Sequence, residues 1–232
     1  MSTKRINFAT INSTTIETFS KFNVAYWELR ALRDTYKDES AKIEEEKAKI
    51  LENRKNDIDA GMPLNEVLVK WSTVEVERKQ NALDAKYEKD CEPHKNAQSE
   101  CMKLVNSDLY YGYVLAQKNG SLNSKGSITI KKGKSTEEHE LEKSYSAMIE
   151  DFLIGIGCSK TDDAKALSKF VQTMAVRTSG MVQCNKGENY VKVKSASQYN
   201  KLFMLNFLQY LVVERGLLVE DEQHNLTMKV YE

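Results

Sequence analysis

Two prolines and ten glycines in 232 residues are too few for a loop-rich sandwich or barrel, folds that need turn residues about every eight to twelve positions. Helix is therefore the expected default. Long apolar runs are missing as well. Spanning a bilayer takes roughly 18 to 20 apolar residues, and the nearest stretch, Leu202 to Val213, is interrupted by Asn206 and Gln209. The first fifteen residues carry two early bases but no apolar segment of signal-peptide length, so a cytoplasmic location is expected and no membrane partner. Four cysteines then read as reduced thiols. Net charge is absent too: 34 bases balance 34 acids, which gives the molecule as a whole no attraction for nucleic acid or anionic surfaces.

Chemistry is equally sparse. Of the three histidines, His94, His139 and His224, none stands in a His-Glu-x-x-His pattern or beside a Gly-x-Ser-x-Gly elbow, so no catalytic residue is assigned. Cys91, His94 and Cys101 are the one cluster with metal-ligand chemistry. On a continuous helix Cys101 lies about 10 Å beyond His94 at ~1.5 Å per residue, too far for one zinc ion with bonds of ~2.0 to 2.3 Å. No metal and no cofactor is assigned. Lys131-Lys132-Gly133-Lys134-Ser135 ends like a phosphate-binding loop, but the position five residues before Gly133, where the motif needs its first glycine, is Ile128. A solvated basic loop is the plainer reading.

What the chain does have is charge in alternation. Glu28 to Asp90 holds 16 acids and 13 bases in 63 residues, with apolar residues thinned to one stripe. Thr14 and Glu17 form a possible capping box, and from there Phe22, Leu29, Tyr36, Ile43 and Ile50 recur every seven residues, the spacing of a helical seam. Ala60-Gly61-Met62-Pro63 ends one helix and starts another. The returning arm carries Leu64, Val67, Leu68, Trp71 and Val74, then Leu83, Tyr87, Met102, Val105 and Leu109, with Pro93 expected to kink or divide it. An arm of about 40 residues would be on the order of 60 Å long.

Glycine is unevenly spread: residues 1 to 111 hold only Gly61, and the other nine lie between Gly112 and Gly216. Boundaries are accordingly expected at 1–117 for the hairpin, 118–135 for a basic linker with one short strand at Ile128 to Ile130, and 136–232 for a mostly helical C-terminal domain. In that domain Ser135 and Glu138 suggest a second capping box ahead of Leu141 to Ile156. Another helix follows Thr161, with Asp162 and Asp163 at its start. Met181 to Lys194 has the makings of a hairpin turning at Lys186-Gly187, Ser195 to Arg215 reads as a buried helix, and Leu217 to Tyr231 as a terminal β-hairpin. The expected fold class is mainly α: a long antiparallel, coiled-coil-like helical hairpin followed by a small helical domain with one or two short β-hairpins.

Function follows only in outline. From Ile43 to Ile58 there is one apolar residue per turn or fewer, too little to hold a lone hairpin tip, so a protein partner or a second copy is expected to cover it. The candidate interface residues are Ile43, Ile50 and Ile58, with Tyr110, Tyr111 and Tyr113 as a tyrosine cluster that fits either docking or core. The leading expectation is a non-enzymatic interaction or assembly protein. Lysine outnumbers arginine 27 to 7, as in AT-rich genomes, which suggests a phage or mobile-element accessory role. One alternative is a nucleic-acid-associated protein that contacts phosphates through Lys118, Lys125, Lys131, Lys132 and Lys134; the other is an enzyme whose site bears no recognisable motif.

Overall fold

The structure is a computed structural model that describes residues 4–132, 134–162, 164–179, 191–192 and 196–230. It is mainly α and contains the long antiparallel hairpin, together with further helices and short β-hairpins. Contacts divide the chain into two units, residues 25–97 and residues 1–24 with 98–232. The second thus takes in both ends of the chain, a division unlike the sequential boundaries at 117 and 135.

In the unit of residues 25–97, α1 (Ser13–Asp59) arrives from the other unit, turns, and is followed by α2 (Leu64–Lys70) and α3 (Val74–Met102), which runs on past the unit's end. The turn is where glycine is needed. Gly61 sits at φ +87°, and the Met62 and Gly61 amides bond the carbonyls of Asp57 and Ile58 at 2.9 Å, which satisfies groups orphaned at the helix end. Pairing runs backwards along α3 as α1 advances. Tyr36 stacks on Tyr87 and donates to Asp84, Ser40 meets Gln80, and Lys79 bonds Glu46. The returning arm differs from expectation in two ways: it breaks at Trp71–Thr73, and it ends at Met102 rather than continuing to Leu109. Pro93 does not divide it. Both Pro93 and Lys89 are exposed, so water can serve the carbonyl that the missing amide leaves unbonded.

The other unit holds the packed interior. Asn12, not Thr14, caps the start of α1, its Oδ1 accepting from the Thr15 amide at 2.7 Å. β1 (Lys4–Asn7) pairs antiparallel with β4 (Ser159–Asp162), from Lys4 opposite Asp162 to Asn7 opposite Ser159. α4 (Leu109–Asn119), α5 (Tyr145–Gly155), α6 (Ala164–Thr178) and α7 (Ala196–Gln209) enclose one cluster of rings: Phe8, Phe19, Phe152, Phe170, Phe203 and Phe207 are all buried. Phe207 is the hub, meeting Phe19, Phe152 and Phe170 edge to face at 5.1 to 5.9 Å. A π-helical turn, Tyr210–Glu214, extends α7. β6 (Leu218–Glu220) and β7 (Leu226–Met228) form the terminal hairpin, which clasps the start of α1: Asn23 donates to Glu220 and to the His224 carbonyl, and Leu226 N–H to Ser20.

Residues 118–135 need correction. Lys118 is in the last turn of α4, and β2 (Gly126–Lys132) pairs antiparallel with β3 (Ser135–Leu141), Lys132 facing Ser135. Ser135 therefore opens a strand, not a helix. The physical reason is that Ser135 to Glu140 offers no apolar residue to bury, while β2 satisfies its backbone and buries Ile128 and Ile130 on its own inner face. The helix cap is instead Ser144, whose Oγ accepts from Ala147. The hairpin proposed at Met181 to Lys194 lies outside the described residues apart from β5 (Val191–Lys192), which adds to β2 in parallel.

Candidate docking surface

At the far end of the 25–97 unit a short helix is held firmly while much of its apolar surface stays wet. α2 turns Val67 fully inward, yet Leu64, Leu68 and Val69 are 60, 46 and 82% exposed. A seven-residue helix is too short to persist by itself. What fixes it is a latch on α1. Asp57 accepts from Trp71 Nε1 at 2.7 Å and from Lys70 Nζ at 2.8 Å, and Arg54 Nε donates to the Trp71 carbonyl at 2.6 Å. The hydrogen bond from Lys70, then that from Trp71, holds the Asp57 carboxyl below its ordinary range, so the latch is charged at neutral pH. Leu51, Ile58 and Val74 are also exposed, so every exposed large apolar residue of this unit lies between positions 51 and 74.

The residues singled out from sequence divide sharply. Ile43 and Ile50 are half-buried on the α1 seam, Ile43 lining a groove with Val76, and Ile58 is exposed. Tyr110 and Tyr113 are buried in the main cluster, as the core alternative for them expects. Tyr113 stacks on Tyr199 and donates to the Ala175 carbonyl at 3.2 Å. Tyr111 is half-buried against His139, whose Nε2 lies 3.1 Å from Asp108 Oδ1. Sequence reasoning missed the latch and α2 itself. The tripeptide Trp71-Ser72-Thr73 was the available signal, since serine and threonine are helix-start residues.

Lys118, Lys125 and Lys134 are exposed, but β3 lays Glu137, Glu138 and Glu140 beside β2, where Lys131 and Lys132 lie. The acid-free run in sequence is not acid-free in space. Nor does the Gly-Lys-Ser tripeptide stand between a strand and a helix: Ile128 is buried inside β2 and Ser135 begins β3.

Elsewhere several polar groups are committed to structure. Burial pushes the Cys101 and Cys158 thiols up to about 12, far from the thiolate a nucleophile needs. Burial likewise raises the phenols of Tyr145 and Tyr199, which bond one another at 3.3 Å. A cleft of about 560 Å³ opens between the starts of α5 and α6. Of its polar groups, Ser144 caps α5, Ser146 donates to the Leu122 carbonyl, and Glu150 pairs with Lys160. Among the described residues no three His, Cys, Asp or Glu side chains are grouped to hold a metal ion, and no helix is long and apolar enough to cross a membrane. No protein-family model, curated protein or solved structure matches the chain.

Proposed function

We propose that this is a non-enzymatic interaction or assembly protein that docks on a protein partner through the tip half of its helical hairpin. The observation that carries the reading is α2: three apolar side chains held in water on a helix that an ion pair and two further hydrogen bonds pin in place. Covering each of them would contribute on the order of 1 to 2 kcal/mol, and their pre-set arrangement spares the partner the cost of ordering them. A tip with no docking role has no reason to combine rigidity with that exposure.

Photo-crosslinking in the native cell tests this. Benzoylphenylalanine at Leu68 is expected to capture a discrete adduct, whereas the same residue at exposed Lys86 on α3 is not. Light scattering across concentration separates self-association from capture of another chain. If position 68 yields no adduct and the protein stays monomeric, the reading fails.

A further inference from the structure

Building on the docking reading, we infer that the partner presents an amphipathic helix whose apolar stripe is bordered by lysine or arginine, and that it lies along α1 beside the tip. The surface is a second seam on α1. Ala41, Glu44, Ala48, Leu51, Lys55 and Ile58 alternate spacings of three and four, as a two-helix contact requires, and all six are exposed. On an α-helix this row stands about a quarter-turn from the row facing α3. It therefore flanks the groove of about 110 Å³ where Ile43, Glu44 and Lys47 meet Val76 and Glu77.

The borders of the seam decide what can sit on it. Its inner border, Ser40, Lys47 and Arg54, is half-buried and turned toward the hairpin's own returning arm: Ser40 bonds Gln80 and Arg54 the Trp71 carbonyl. Its outer border is Asp38, Glu45, Glu52 and Asp59, one carboxylate per heptad, all exposed and none in an ion pair among the described residues. Across the groove Glu77 on α3 is exposed as well.

A second copy fits badly in either direction. Paired antiparallel, the seams match, with Glu44 against Lys55 and Ala48 against Leu51, but each outer border then meets itself. Asp38 faces Asp59 and Glu45 faces Glu52, so like-charge contacts outnumber the opposite pairs. Paired parallel, Glu44 meets Glu44 and Lys55 meets Lys55 inside the seam. A different chain with bases at those border positions turns every such contact into an attraction, and repulsion along the border selects against self-pairing.

Three synthetic helices of about 25 residues, sharing one leucine stripe and differing only in Lys, Gln or Glu borders, make the test when titrated against the full-length chain by fluorescence anisotropy. The Lys-bordered helix should bind roughly tenfold tighter than the Gln-bordered one, with the Glu-bordered one weakest. Glu45→Lys with Glu52→Lys should invert that order, while Glu88→Lys with Glu92→Lys should leave it unchanged. Leu51→Ser with Ile58→Ser should abolish binding with the circular dichroism of the chain unaltered. Equal binding of the three helices, no binding at all, or indifference to the Glu45 and Glu52 reversals overturns the inference. An adduct at Leu68 alongside any of these results leaves docking standing with a partner of other charge.

Discussion

Asp57 shows how much one carboxylate can organise when Lys70 and Trp71 converge on it and Arg54 holds the Trp71 carbonyl. Because its folded-state pKa is lowered, chiefly by Lys70 and then by Trp71, its contribution is complete above the ordinary value of 3.8 and is lost as pH falls through the lower folded value. In a Trp27→Phe background, Trp71 fluorescence should hold steady from neutrality down to about pH 4 and change only below it. A midpoint at or above 3.8 would show that the latch does not carry the charge assigned to it. Gly157 works by what it omits. It sits at φ +98°, and a Cβ there would meet the Thr10 carbonyl oxygen at 3.1 Å and the Asn12 amide at 3.3 Å, backbone atoms that cannot rotate away. Gly157→Ala should cost about 1 to 3 kcal/mol in a denaturant melt and loosen the junction where Ser159 N–H bonds Thr10 Oγ1.

Between elements, the two ends of the burial scale can be compared directly. Phe207→Ala on α7 removes the ring that three other phenylalanines meet edge to face, and should cost about 3 to 5 kcal/mol of global stability. Val69→Ser on α2 touches a side chain already in water and should stay within about 0.5 kcal/mol. If it costs several times that, α2 is held by its apolar contacts rather than by the latch, and the surface is not free for docking. The same contrast explains which elements were readable from sequence. α5, α6, α7 and the hairpin arms carry apolar residues at helical spacing over ten or more positions, and each stands close to where its pattern lies. β3 was misread because Ser135 with Glu138 is a local signal, whereas the strand depends on a partner that only the folded chain supplies. The docking surface was half legible. Ile58 stood out as an isolated apolar residue in a charged stretch, while Leu64 and Leu68 read as part of the apolar face of a returning arm that the break at Trp71 interrupts, and Val69 carried no signal.

At the scale of the whole molecule, the separation into units is a separation of buried apolar surface along one continuous helix. Residues 25–97 bury only Ala25, Val67, Val76 and Cys91 among their apolar side chains, whereas the main cluster of buried rings and aliphatics lies entirely in the other unit. Sequence order concealed this, since the first 24 residues join the later ones through pairings such as β1 with β4, more than 150 positions apart. Local opening follows buried apolar area, so the amides of α1 should not exchange together. By hydrogen-exchange mass spectrometry, residues 15–24 should be as slow as α4 and α7 and exchange only with global unfolding. Residues 40–58, in the same unbroken helix, should exchange through a smaller opening, at rates at least roughly tenfold faster, a difference of about 1.4 kcal/mol or more. Uniform protection from end to end of α1 would mean that the hairpin draws its stability from the packed unit and lacks the deficit that a partner is proposed to fill. Under the gradient expected here, a bound helix should slow exchange in residues 40–58 and leave residues 15–24 unchanged, because only the former gain a cover they do not already have.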